Sequence, residues 1–265
     1  MKQARVNGVE LAYRDQGVGA PLVFLHAFPL NQTMWDGQVT AFAGRRRVVT
    51  FDWRGFGASS AGDGISGMDV LADDLAGLLN ELQIGRAAIC GLSMGGYAAF
   101  AFARRHADRV EALILADTRP TPDTKEGKQG RRDAAELVRQ SGPAAIAERM
   151  LPKLLGPTTC RDRPQVLSQV RAMIEANRPE GIAQASLGMA EREDATPLLG
   201  QLSCPTLVIV GNEDQLTPPS DSEKMSRLIP GARLAVIPGA GHLSNLEQPE
   251  AFNRHLAEFL GTEHG

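Results

Sequence analysis

Six continuous apolar runs of strand length, at residues 22–25, 48–51, 87–90, 112–116, 206–210 and 234–237, set the strongest limit on how this chain can fold. None alternates cleanly in polarity, which suits strands covered on both faces, as in a parallel sheet. Helical spacing fills much of the sequence between them. Leu71, Leu75, Leu78, Leu79 and Leu82 form one stripe over 70–82, and further helices are expected over 97–105, 220–228 and 249–260. In the last of these Pro249 suits a first-turn position, and Phe252, Leu256, Phe259 and Leu260 make the apolar face. Strand followed by helix, repeated, predicts βαβ crossovers and a doubly wound α/β sheet. Near the N-terminus, 4–6 and 9–13 alternate in polarity around Asn7-Gly8, a dipeptide suited to a tight hairpin, so an antiparallel pair is expected at the sheet edge.

The strand rhythm stops between about 118 and 197, where Ala, Leu, Met, Glu and Arg recur at helical spacing. This segment opens on Arg119-Pro120-Thr121-Pro122-Asp123 and is broken at Gly142-Pro143, Gly156-Pro157 and Arg178-Pro179, which predicts several short helices. The charged run 125–132 within it reads as a solvated face or loop. The expected organisation is one domain: a core in two parts, 1–117 and 198–265, with a helical insertion at 118–197 that contacts substrate.

A formal net charge of −3 over 265 residues, with lysines and arginines scattered, leaves no electrostatic footprint for nucleic acid. The first residues lack the apolar stretch of a signal peptide and no run is long enough to cross a bilayer, so a cytoplasmic protein without a membrane partner is expected. The three cysteines, Cys90, Cys160 and Cys204, show no CxxC spacing, which points to neither a disulfide framework nor a zinc site. Cys90 and Cys204 flank apolar runs and are expected to be buried. No phosphate loop, dinucleotide fingerprint or metal-spaced histidine pair is present, so no cofactor is implied.

Chemistry enters at Gly91-Leu92-Ser93-Met94-Gly95. The G-x-S-x-G letters alone are weak; their place between a buried strand and a helix is what gives them meaning. A sharp strand-to-helix turn holds such a serine at positive φ, and glycine on either side removes a collision with neighbouring backbone. A serine hydroxyl at neutral pH also needs a base, and the base needs an orienting acid. The order expected along the chain is serine, acid, histidine. Asp214 follows the strand run 206–210 and is the preferred acid, with Asp117, at the end of 112–116, as its competitor. His242, in Pro238-Gly239-Ala240-Gly241-His242-Leu243-Ser244, lies just beyond the last run and is the best base among five histidines. His106 falls at a helix end, His255 within the last helix and His264 in the tail, while His26 reads as a structural hydrogen-bonding residue.

Acyl transfer also needs two backbone donors for the oxyanion. Met94 N–H is one, at a helix start directly after the nucleophile. The other is expected in His26-Ala27-Phe28-Pro29, from Phe28 or, one residue earlier, Ala27, with the Phe28 ring walling the pocket. Asp52-Trp53-Arg54-Gly55-Phe56-Gly57-Ala58-Ser59 reads as a tight turn in which Asp52 or Arg54 bonds exposed backbone.

Together these motifs resemble the α/β-hydrolase superfamily over nearly the whole chain. The runs Cys90-Gly91-Leu92-Ser93-Met94-Gly95-Gly96 and Ala240-Gly241-His242-Leu243-Ser244-Asn245-Leu246-Glu247-Gln248-Pro249-Glu250-Ala251-Phe252-Asn253 are similar to those of 3-oxoadipate enol-lactonases and related esterases. His26-Ala27-Phe28-Pro29 departs from the Ser-Asn-Ser-type run of those lactonases and looks like the His-Gly-x-Pro loop of arylesterases, with Ala27 in the glycine position. The resemblance implies a mostly parallel eight-stranded sheet with helices on both faces, a helical cap, and a serine hydrolase acting on a small ester or lactone. C–C bond hydrolases and cofactor-free perhydrolases or haloperoxidases share the triad and stay open as alternatives. A ligand-binding protein with a vestigial site is the alternative of another class.

Overall fold

The computed structural model describes residues 1–261. Asn7 and Gly8 take φ of 46° and 82°, the pair of positive values that a two-residue hairpin turn needs to match strand twist. They join β1 (Lys2–Val6) to β2 (Val9–Gln16), with Val6 facing Val9 across the turn. The remaining strands are β3 (Pro21–Leu25), β4 (Arg47–Phe51), β5 (Ala87–Leu92), β6 (Val110–Ala116), β7 (Thr206–Gly211) and β8 (Arg233–Ile237). They form one eight-stranded sheet in the order β1-β2-β4-β3-β5-β6-β7-β8. The sheet is mixed: β2 runs antiparallel to both of its neighbours, and every other pairing is parallel.

All residues of β5 and β7 are buried, as continuous apolar runs require. β8 corrects that expectation. It is the terminal strand, its burial alternates, and Leu234 and Val236 remain 38% and 41% exposed, because one of its faces lacks full cover.

Among the described residues, eleven α-helices connect and follow the strands: α1 (Asp36–Phe42), α2 (Met68–Glu81), α3 (Met94–Arg105), α4 (Lys125–Leu154), α5 (Pro157–Asp162), α6 (Pro164–Glu175), α7 (Pro179–Ala190), α8 (Thr196–Leu199), α9 (Pro219–Leu228), α10 (Ser244–Glu247) and α11 (Pro249–Leu260). α2 packs on α3 and α1 on α11. Leu71, Leu75, Leu78 and Leu79 are buried on the α2 stripe, each worth roughly 1.5–3 kcal/mol of apolar burial. Trp35 stacks on Phe24 at 4.7 Å between ring centres and also meets Phe252 of α11, which ties the C-terminal helix to β3.

Between β6 and β7 the segment is helical. Its breaks fall at the expected dipeptides: Gly142 kinks α4 with φ 77° and ψ 177°, Gly156 precedes α5, and Arg178 precedes α7. α7 is seated on the core by backbone. Gly181 in its first turn lies against Gly55, itself at φ 81°, and a Cβ on Gly181 would overlap the Gly55 carbonyl. No described helix is long and apolar enough to cross a membrane. Cys90 is buried, Cys160 exposed and Cys204 only half-buried, a correction for a residue that sits in the connection before β7 rather than within it. His264 lies outside the described residues.

Candidate active site

Ser93 stands alone between β5 and α3 with φ 53° and ψ −112°, a left-handed backbone that costs of order 1–3 kcal/mol in a residue other than glycine. The surroundings hold it there. Ser93 N–H donates to Ala116 O at 3.0 Å, Thr118 Oγ1 donates to Ser93 O at 2.9 Å, and Tyr97 N–H donates to the same oxygen at 3.1 Å. A Cβ on Gly91 would strike the Gly95 carbonyl, and one on Gly95 the Leu25 carbonyl, so both flanking glycines are sterically required.

His242, on the loop between β8 and α10, brings Nε2 to 2.8 Å from Ser93 Oγ. Its Nδ1 is 2.8 Å from Asp214 Oδ2. Asp214 lies just beyond β7 and fills two roles. Oδ1 accepts from the N–H groups of Leu216 and Thr217 at 2.8 and 3.0 Å, the turn-aspartate pattern, while Oδ2 accepts from Thr217 Oγ1 at 2.6 Å as well as facing His242. Burial works against the charge on Asp214, but the attraction of His242 and the hydrogen bonds from His242 and Thr217 outweigh it and hold the carboxyl below the usual range. Asp117, the competing acid, is fully buried and bonds Gly211 N–H and Ser244 instead of a histidine.

Ala27 and Phe28 separate here. Ala27 N–H is engaged by Met34 Sδ at 3.2 Å, whereas Phe28 lines the cavity that holds Ser93 and His242. His26 is buried and structural: Nε2 accepts from Trp53 N–H at 3.0 Å, so Nδ1 carries the proton towards Ala27 O at 3.0 Å. Burial lowers its pKa from 6.5 to about 4 against the opposing pull of Asp52, which keeps the ring neutral. Asp52 bonds the Gln32 and Ala58 N–H groups at 2.8 and 3.0 Å, as a turn residue should. Arg54 does not bond exposed backbone; it forms a buried two-pronged pair with Asp74 of α2 at 2.6 Å.

The cavity over Ser93 has a volume of about 280 Å³ and is roofed by α4, through Ala134, Ile146, Met150 and Leu154. Four cations, Arg119, Arg131, Arg149 and Lys153, line it beside one carboxylate, Asp123. Asp123 is buried and pairs with Arg192 at 2.7 Å and with Arg119 and Arg131 at 3.1 Å each. Burial alone would raise its pKa, yet Arg192 and Arg131 hold it far below the usual carboxylate range. A larger cavity, about 380 Å³, runs along α3 towards Arg104 and shares Tyr97 and Arg119 with the first, but it contains neither Ser93 nor His242.

Residues 20–249 match the model of the alpha/beta hydrolase fold family. The chain belongs to the α/β hydrolase fold family. Within it, the chain is similar to a solved thermophilic esterase from Thermogutta terrifontis, a malate-bound structure, with 47% identity, TM-score 0.97 and all of both chains covered. It is similar to the solved enol-lactonase from Burkholderia xenovorans LB400, with 33% identity and TM-score 0.92 over 98% of this chain and 100% of that one. The curated 3-oxoadipate enol-lactonase 2 of Acinetobacter baylyi is 34% identical over 89% of this chain and 86% of its own length.

Two groups of residues in this α/β hydrolase escaped the sequence reading. Arg131, inside the run expected to be solvated, is half-buried and lines the cavity; the i, i+4 spacing of Arg119 and Asp123 was the available signal for that cluster. Thr217, in the Thr-Pro-Pro turn after Asp214, touches both acid and imidazole, 3.3 Å from Nδ1. An Asp with a hydroxyl three residues later at a strand end was its only trace.

Proposed function

We propose that this α/β hydrolase cleaves small carboxylic esters or lactones through an acyl-enzyme on Ser93, with His242 as general base and Asp214 as its orienting acid. The observation that carries the reading is the unbroken chain Ser93 Oγ, His242 Nε2, His242 Nδ1, Asp214 Oδ2, with both links at 2.8 Å and the serine at the cavity wall. As Oγ attacks the carbonyl carbon, His242 Nε2 takes the hydroxyl proton and Asp214 steadies the imidazolium. The N–H groups of Met94 and Phe28 receive the oxyanion. His242 then gives its proton to the leaving alkoxide, or to the ring oxygen of a lactone. Water, activated by the same nitrogen, attacks the acyl carbon, and the proton returns to Ser93 as the acid departs.

The substrate we infer carries a free carboxylate besides its ester or lactone group. Four cationic side chains against one carboxylate leave a surplus of positive charge around Ser93, and charge-assisted hydrogen bonds to arginine favour a carboxylate held at that wall. Residues 118–197 act as a cap that sets this preference. A fluorophosphonate probe tests the mechanism: the native protein is expected to label at Ser93, and Ser93→Ala to lose labelling together with ~10⁴–10⁶-fold of its p-nitrophenyl acetate turnover. Equal labelling of the two proteins, or none of the native one, would overturn it.

A further inference from the structure

Asp117 directly follows β6 and takes no part in the steps above, yet its neighbours reach the loops of the nucleophile, the acid and the base. It is fully buried and non-glycine at φ 43°, another left-handed residue. Oδ1 accepts from Gly211 N–H at 2.9 Å, three residues before Asp214. Oδ2 lies 2.5 Å from Ser244 Oγ, two residues after His242. Asp117 N–H donates to Ile209 O at 2.9 Å. On either side of it, Ala116 O receives Ser93 N–H and Thr118 Oγ1 donates to Ser93 O. Three consecutive residues thus touch the loops of the nucleophile, the acid and the base.

We propose that Asp117 is a positioning residue for the hydrolytic reaction, with one carboxyl oxygen holding the Asp214 loop and the other the His242 loop in register with Ser93. The role rests on the triad assigned above. Positioning of this kind matters because small misplacements of reacting groups, even from substitutions outside the chemistry, cost large factors in rate.

The surroundings fix how Asp117 does this. The titratable groups that face it are Asp214 beyond β7, Glu247 of α10 and Cys90 of β5. None is a cation. Burial, with the charge of Asp214 added, raises the Asp117 carboxyl well above the usual carboxylate range and so favours its neutral form. Oδ1 accepts from Gly211 N–H, while Oδ2 accepts from Ser244 Oγ and, at 3.4 Å, from Ser244 N–H. Asparagine keeps a carbonyl for Gly211 N–H and tolerates a left-handed φ; its amide nitrogen can donate to Ser244 Oγ and gives up only the 3.4 Å contact with Ser244 N–H. Alanine removes both arms.

The test compares Asp117→Asn, Asp117→Ala and Ser244→Ala in the full chain by kcat, KM and the pH dependence of kcat/KM for p-nitrophenyl acetate, with thermal unfolding to confirm folding. Asp117→Asn is expected within about 3-fold of native kcat, with the acid limb of its pH profile unmoved. Asp117→Ala and Ser244→Ala are expected to lose roughly 10- to 100-fold in kcat with KM changed by less than about 2-fold. Ser244→Ala cuts only the arm to the His242 loop and decides the matter if Asp117→Ala does not fold. Turnover within about 2-fold of native in folded Asp117→Ala or Ser244→Ala would overturn the proposal. So would an Asn variant as slow as Ala, or one whose acid limb moves to lower pH, the sign that a negative charge had been removed. Ser93→Ala in parallel separates the two levels: if it keeps turnover, the triad itself fails and this role with it, whereas its inactivity beside an undiminished Ser244→Ala rejects the positioning role alone.

Discussion

The Arg192 guanidinium lies 4.2 Å from the centre of the Tyr97 ring while pairing with Asp123 at 2.7 Å. Tyr97 lines both the cavity over Ser93 and the larger one along α3, so this stack forms part of the wall between them. Arg192→Ala removes one partner of a buried ion pair and is expected to cost about 3 kcal/mol of stability. Denaturant unfolding reads that loss, and a variant as stable as the native protein would show that Arg119 and Arg131 suffice for Asp123.

The two faces of Asp214 make separable predictions. Asp214→Asn is expected to lower kcat on the order of 10⁴-fold with little change in KM, since an amide cannot stabilise the imidazolium and favours the wrong tautomer. Thr217→Val removes only the hydroxyl that donates to Oδ2 at 2.6 Å, and about 10-fold in kcat is expected. Steady-state kinetics on the pair would contradict this if Thr217→Val were the slower enzyme.

His26 links stability to pH. Its folded pKa is lowered from 6.5 to about 4, so the unfolded chain binds the proton first as pH falls. The stability tied to the neutral ring is full above about pH 7 and lost progressively towards pH 4, amounting to about 3 kcal/mol. Gln offers the same acceptor for Trp53 N–H and donor for Ala27 O, and His26→Gln is expected to show a flatter profile across that window. Parallel unfolding profiles for the two proteins would count against this account.

Charge selectivity is measurable with matched substrates. Arg149→Ala combined with Lys153→Ala is expected to reduce kcat/KM for a monoalkyl ester of a dicarboxylic acid by roughly 10-fold, about 1.4 kcal/mol, chiefly through KM. An uncharged ester of equal length should hold its rate. A uniform fall on both substrates would point to a change in the roof formed by α4 instead.

Much of this architecture was legible because local and global signals agree. Asn7-Gly8 fixes a hairpin by its own backbone preferences, and the glycines at 91 and 95 mark a turn that no other residue fits. Ser93, Asp214 and His242 could be placed because each follows an apolar run, and parallel strands bring those ends together. Arg131 and Asp117 could not be placed. Whether an arginine in a charged run faces water or a cavity depends on how α4 lies over the sheet, which no spacing within the run encodes. Asp117 looked like a rival acid because strand ends converge, and which of two converging carboxyls meets the imidazole is a matter of ångströms. β8 misled for a similar reason, since an apolar run does not say how far helices cover the last strand.

The turn at Ser93 carries one more consequence. The Ser93 hydroxyl is placed by backbone torsions and by the carbonyl of Ala116 and the hydroxyl of Thr118, not by bulk in its own side chain. The position is therefore interchangeable in principle: another short nucleophilic side chain would inherit the same location and the same facing imidazole, so divergence in reaction type requires fewer simultaneous changes at this turn than it would where the side chain had to be steered by packing.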